Sequence, residues 1–324
     1  MMEVAVIGCG GISAFVHVPQ LLSMGNYIHI SYLCDRNLTR ARRLANRYNL
    51  DAQCVDDYNM VLNDDNVKTV IIAVWPSQNL QLGLMSIKKR KHTLIQKPLI
   101  GTDEEFKELI NYSRDQTVSI LALPYIDIPD LKSIVTSGEL GKINYVRIRT
   151  AIPGPEDYYE DVKSFYKESE NSPYYLEEYA YGRGALSDMG TYALSLYHYL
   201  FGEAELQSFI LFPRKYDRMA LINLKSDTLP CCSIDIAWNQ IQGVEICGIY
   251  GNKGTVCIKA DGSIGTMGID KQIKDTVELP LSPFEKQKQW LLSIINRNEN
   301  KNMNHSVITA AWVSRIINKV YKTI

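Results

Sequence analysis

Over the first third of this 324-residue chain, short β-branched and aliphatic runs alternate with longer stretches of helical period. Runs at 4–7, 28–34, 69–74, 93–95 and 119–121 predict strands, and stretches at 15–24, 39–48, 80–89 and 103–115 predict helices. Strand and helix in turn predict a parallel sheet covered on both faces, a doubly wound α/β unit of Rossmann type. One helix start is marked chemically. Thr102 offers an N-cap hydroxyl, Glu105 a carboxylate three positions on, and Asp103-Glu104-Glu105 negative charge in the first turn.

Beyond Pro124 the pattern changes to one helix at 130–137 and then strands in succession at 143–149, 208–212, 219–224, 232–238, 245–250 and 254–258. Strands without intervening helices predict an α+β domain with a large, mostly antiparallel open sheet. The stretch 153–181, rich in Tyr, Glu, Pro and Ser, reads as a long excursion from that sheet, of the length that usually carries function. Amphipathic helices at 284–296 and 306–321 follow, joined by the polar linker 297–304. The chain is longer than single cores usually grow, which divides it into units 1–123 and 124–324.

Composition removes several function classes. With 35 Lys+Arg against 36 Asp+Glu the net charge is −1, and the longest basic run, Lys88 to Lys91, reads as the wet end of a helix. A nucleic-acid or membrane-surface partner is therefore not expected. Seven cysteines without a C-x-x-C pair point to a reducing compartment and no disulfide framework. No apolar run is long enough to span a bilayer, and the first strand begins without a basic leader, so the expected location is cytoplasmic. His17, His29, His92, His198 and His305 are scattered at no ligand spacing, so no metal is expected.

Chemistry begins at Gly8-Cys9-Gly10-Gly11-Ile12-Ser13, which follows the first strand and opens the first helix. Gly8 permits a tight turn, Gly10 lets backbone approach a pyrophosphate, and the N–H groups of the helix start, through Gly11 and Ile12, face the anion. Ser13 stands where a third glycine is usual. Asp35 ends the second strand about 20 residues on, the spacing of a carboxylate that accepts from adenosine ribose hydroxyls. It also reads as a turn residue in Asp35-Arg36-Asn37. A carboxylate there repels a 2′-phosphate, whereas Arg36 offers a cation to adenine or to that phosphate, so the expected cofactor is NAD, with NADP the alternative.

Lys97 leaves the carboxyl end of a buried strand in Ile95-Gln96-Lys97-Pro98, the edge where ligands bind in open α/β sheets; an exposed loop lysine is the plain alternative. Asp188 and Tyr192 lie four apart in a segment that opens with Gly182-Arg183-Gly184, which puts them on one face of any helix that begins near Ser187. A capping Asp with a core Tyr is the bland reading. His17, one turn past Ser13, is close enough in sequence to approach a cofactor, but packing accounts for it as well. Tyr158, Tyr159, Tyr174, Tyr175, Tyr179 and Tyr181 fit either a carbohydrate pocket or a subunit contact, and Trp75 either a nicotinamide wall or core packing.

Together these segments, with Ser137-Gly138-Glu139-Leu140-Gly141-Lys142-Ile143 and Gly251-Asn252-Lys253-Gly254-Thr255, resemble the glucose-fructose oxidoreductase, inositol dehydrogenase and rhizopine-catabolism (Gfo/Idh/MocA) family over nearly the whole chain. The resemblance implies an NAD(P)-binding Rossmann domain, then a substrate-binding and oligomerisation domain whose sheet makes homodimers or homotetramers. It implies hydride transfer between nicotinamide and a secondary hydroxyl or ketone of a sugar, cyclitol or nucleotide-linked sugar. Lys97, Asp188 and Tyr192 fall on the catalytic positions. Ala73, Trp75, Asn79, Gln96 and Lys97 join Gly8, Gly10, Gly11, Ile12, Asp35 and Arg36 as cofactor contacts, and Tyr125 and Arg183 join the catalytic three as substrate contacts.

The chain departs from the family pattern in Gln96 for Glu, Asn79 for a common His, Arg183 within the glycine run, and Ser195 for Asp. Tyr192 for His is similar to the glucose-fructose oxidoreductase and dihydrodiol dehydrogenase branch. A phenol, with an ordinary pKa near ~10, is a weak base until a neighbouring ammonium favours its phenolate, a charge Lys97 supplies while it stabilises the developing alkoxide. Two other readings stay open, a non-catalytic dinucleotide-binding regulator of the same fold and a reductase of a non-sugar diol.

Overall fold

The computed structural model describes residues 1–115, 118–152, 184–214, 216–227, 229, 231–238, 245–259, 263–268, 273–278, 285–296, 303 and 305–323. They divide into two compact units, 1–125 with 281–314 and 126–280 with 315–324. The expected contiguous division after residue 123 meets the first boundary closely but misses the return of 281–314 to the first unit. That return has a physical cause in Trp290, which is fully buried there and donates its indole N–H to Ser119 Oγ (2.7 Å), and in Val307 and Ala311, which join the core between helices and sheet.

The first unit is a six-stranded parallel sheet in the order β3-β2-β1-β4-β5-β6. Its strands are β1 (Met2–Ile7), β2 (Ile28–Cys34), β3 (Gln53–Val55), β4 (Thr69–Ile72), β5 (His92–Ile95) and β6 (Ile120–Ala122). Between them run α1 (Val18–Leu22), α2 (Leu38–Tyr48), α3 (Tyr58–Asn63), α4 (Pro76–Lys88) and α5 (Asp103–Asp115). The capping at Thr102 forms as its chemistry dictates: Thr102 N donates to Glu105 Oε2 (2.8 Å) and Glu105 N to Thr102 Oγ1 (3.2 Å). Strand order reverses between β1 and β4, which puts the ligand crevice of such a sheet at their carboxyl ends.

The second unit carries an eight-stranded sheet, β14-β13-β12-β11-β7-β10-β9-β8, in which only β7 and β10 pair in parallel among the described strands. These strands are β7 (Ile143–Ile152), β8 (Glu205–Phe212), β9 (Met219–Lys225), β10 (Cys232–Trp238), β11 (Glu245–Gly251), β12 (Gly254–Lys259), β13 (Ser263–Gly268) and β14 (Ile273–Glu278). The helices are α6 (Pro129–Thr136), α7 (Ala185–Asp188), α8 (Gly190–Phe201), α9 (Glu285–Ile295) and α10 (His305–Lys322), of which α9 and the first half of α10 belong to the first unit. α7 and α8 cover the inner face at β7, β9 and β10, over Val146, Ile148, Ile222, Ile234 and Ile236. Arg183 and the tyrosine-rich stretch 153–181 lie outside the described residues.

Among the described residues no helix is long and apolar enough to cross a membrane, and no group of three or more His, Cys, Asp or Glu is placed to hold a metal ion. All seven cysteines are free thiols.

Candidate active site

Gly8 leaves β1 with φ +97°, and a Cβ built there would sit 2.2 Å from the Ala73 carbonyl oxygen. The turn therefore needs glycine twice over, for its backbone conformation and for its approach to the chain after β4. Ser13, in place of a third glycine, is fully buried and donates its hydroxyl back to Gly8 O (2.5 Å), which closes the turn from within. The helix expected over 15–24 instead opens with a π turn at Ser13–His17 before α1. Ile12 at its N-cap brings no side-chain cap, so the N–H groups that follow Gly10 and Gly11 keep their capacity for an anion.

Asp35 takes the turn reading and adds a second bond. Its Oδ1 accepts from Asn37 N (2.9 Å) as a turn residue, and its Oδ2 accepts from Cys9 N (2.9 Å), which ties the end of β2 to the glycine turn. Each oxygen keeps a further lone pair for a ribose hydroxyl. Burial first, and the Asp35 charge second, push the Cys9 thiol well up, so Cys9 is neutral packing beneath the turn. Arg36 sets its guanidinium 5.9 Å from the Trp75 ring, joining the chain after β2 to the chain after β4 on either side of β1.

Lys97 follows β5 and is half-buried. Its place is fixed by two amides. Asn79 is fully buried, with Oδ1 accepting from Val74 N (3.2 Å) and Nδ2 donating to Gln96 O (2.9 Å). Gln96 Oε1 in turn accepts from Lys97 N (3.0 Å). The sequence marks Asn79 and Gln96 as cofactor contacts; in the structure Asn79 bridges the chain after β4 to the chain after β5, and Gln96 Oε1 holds the Lys97 amide. Tyr125 is buried below Lys286, whose ammonium lies 5.7 Å from the ring centre. His17 is packed rather than exposed: Nδ1 meets Gln287 Oε1 at 2.6 Å, and burial lowers its pKa to about 4.

Asp188 and Tyr192 belong to the second unit. The single helix expected from Ser187 is broken at Met189, so Asp188 ends α7 and Tyr192 lies in the first turn of α8. Backbone at Met189 stays right-handed (φ −87°, ψ −26°), and Tyr192 N bonds Met189 O at 3.1 Å. The Asp188 carboxylate is buried, with Oδ2 accepting from the indole of Trp238 (3.2 Å), while its carbonyl takes the Thr191 hydroxyl (2.7 Å). Trp238 and the buried Asp217, whose Oδ2 accepts from Leu186 N (2.9 Å), were not legible as site residues. Neither sits in a motif, and only pairing across the sheet brings them to α7.

Residues 2–122 match the family model described as "Oxidoreductase family, NAD-binding Rossmann fold", and residues 128–257 match "GFO/IDH/MocA C-terminal domain". The chain is 23% identical over 146 residues to inositol 2-dehydrogenase of Salmonella typhimurium, a match covering 44% of this chain and 43% of that protein; it thus spans less than half the length of such curated relatives. A 3-ketoreductase from Actinomadura kijaniata, solved with NADP and TDP-benzene, superposes with a TM-score of 0.76 at 14% identity, covering 98% of this chain and 96% of that one. An oxidoreductase from Agrobacterium radiobacter, solved with NAD+, L-tartaric acid and magnesium, gives 0.73 at 18% identity over 97% and 94%. At these identities the likeness is one of fold.

Proposed function

We propose, starting from a chain that belongs to the Gfo/Idh/MocA family of NAD(P)-binding oxidoreductases, that this protein oxidises a secondary hydroxyl, or reduces the matching ketone, of a sugar, cyclitol or nucleotide-linked sugar. The observation that carries the reading is Lys97 at the carboxyl end of β5, two strands from the glycine turn after β1 on the same edge of the sheet. At ordinary strand spacing that separation is about 10 Å, within the span of a dinucleotide whose pyrophosphate lies over the turn.

The residues present fit that group. Gly8 leaves the space, the turn after Gly10 offers N–H groups, and Asp35 offers carboxylate lone pairs to the adenosine ribose. When bound, the nicotinamide supplies the hydride acceptor or donor. Lys97 donates to the substrate oxygen on which negative charge develops. Tyr192 takes or returns the hydroxyl proton, and Asp188 orients the substrate. The inositol 2-dehydrogenase among the similar proteins supports polyol chemistry here.

NAD is the preferred form, because Asp35 stands where a 2′-phosphate would be repelled. The chain works as a homodimer or homotetramer through its second-unit sheet, a reading supported by Ile210 and Phe212, which are 58% and 68% exposed on β8. A panel of sugars and cyclitols screened for reduction of added NAD identifies the substrate. With that substrate, Tyr192→Phe and Lys97→Met slow single-turnover hydride transfer by about 100-fold or more. Wild-type rates in both variants overturn the assignment.

A further inference from the structure

Asp217, between β8 and β9, is fully buried, yet its carbonyl and one carboxylate oxygen bond the short helix that bears Asp188. Ala185 N donates to Asp217 O (2.7 Å) and Leu186 N to Asp217 Oδ2 (2.9 Å), so the first two N–H groups of α7 are satisfied by a residue about 30 positions later. The fit is backbone to backbone: Gly184 has φ +131°, and a Cβ there would stand 2.0 Å from Asp217 O. Four residues of helix with no side-chain cap of their own do not persist alone. Tyr321, on α10, donates to Asp217 Oδ1 (2.7 Å), and Ser187 Oγ donates to the Tyr321 hydroxyl oxygen (3.2 Å), which closes the ring back onto α7.

The neighbouring residue reaches Asp188 from the other side. Arg218 O accepts from Trp238 N (2.7 Å), and the Trp238 indole N–H donates to Asp188 Oδ2 (3.2 Å). One dipeptide, 217–218, thus holds both the backbone that carries Asp188 and the strand residue that grips its carboxylate. We propose that Asp217, with Tyr321, is the positioning residue that sets the direction of the Asp188 carboxylate, an inference that rests on Asp188 belonging to the catalytic group. Asp217 itself touches no reacting atom. A buried carboxyl is a costly way to fix a turn, and its burial shifts its pKa up to about 6; here it is set against the helix that bears Asp188.

The test is spectroscopic and independent of turnover. In the full chain labelled with 15N at tryptophan, the four indole N–H resonances are assigned by replacing each tryptophan in turn with phenylalanine, and Asp188→Asn gives the signature of a lost carboxylate acceptor. Asp217→Asn and Tyr321→Phe are expected to move the Trp238 resonance in the same direction, with Trp290 and Trp312 unmoved. A Trp238 resonance at its wild-type position in folded Tyr321→Phe overturns the proposal; this variant keeps the ring, so it decides the matter even where Asp217→Asn fails to fold. Full hydride-transfer activity in Asp188→Asn sinks instead the catalytic reading of Asp188, and the indole resonance still reports its positioning.

Discussion

Asp35 shows how one carboxylate does local and remote work at once. It closes its own turn at Asn37 and holds the glycine turn through Cys9, and in the function proposed above it also faces the adenosine ribose. Replacement by serine keeps an acceptor for Cys9 but removes that charge. We expect Asp35→Ser to weaken NAD about tenfold and to shift the NAD to NADP affinity ratio about 100-fold toward NADP, measured by titration of protein fluorescence with each dinucleotide. An unchanged ratio means that Asp35 does not select the cofactor. The placement of Gly8, Asp35 and Lys97 was legible residue by residue, since motif chemistry ties each to the end of a strand. The bonds of Asn79 and Gln96 to the strand ends were not legible, because an amide spent on a strand end and one offered to a ligand leave the same trace in a sequence.

At the scale of elements, the chain was readable wherever burial left a period. β10 and α5 fall on their expected bounds, carried by alternating Ile234 and Ile236 and by the Thr102 cap. β3 escaped, being three residues of Gln-Cys-Val at a sheet edge, and β13 escaped because Gly265 and Gly268 interrupt its alternation. The pairing of α1 with α9 was also hidden, since it joins His17 to Gln287 across most of the chain. Gln287 accepts from Nδ1, so Nε2 is left as a buried acceptor with no partner among the described residues, and protonation there would strand a charge.

His17 titrates near 6.5 when unfolded and about 4 when folded, so between these values the unfolded chain binds more protons. Its contribution is intact above pH ~6.5 and falls as the pH drops toward 4, by about 3 kcal/mol in all. We expect His17→Gln to lose correspondingly less stability than wild type on acidification, read from urea midpoints across that range. Parallel losses in the two proteins would remove His17 as the sensor.

For the whole molecule, the face of the second-unit sheet that bears Ile210 and Phe212 carries polar groups beside its apolar ones. Ile210 and Phe212 lie beside a ladder in which Asn223 Nδ2 donates to Ser208 Oγ (2.9 Å) and Ser233 Oγ to Asn223 Oδ1 (2.7 Å), with the Arg149–Asp235 ion pair beyond. A second copy of the same face suits that division, apolar strip on apolar strip with satisfied polar groups at its margin. For the proposed homo-oligomer, we expect Phe212→Glu with Ile210→Glu to leave monomers in light scattering while wild type gives the larger mass and secondary structure is retained; equal masses overturn this contact. The return of 281–314 to the first unit carries a consequence for synthesis. Trp290, Val307 and Ala311 complete a core begun by β5 and β6, yet ribosomes deliver them only after the entire second sheet has been made. The dinucleotide unit must therefore wait, with an unfinished flank, through translation of everything between, and a premature stop late in the message cripples the half of the protein encoded first.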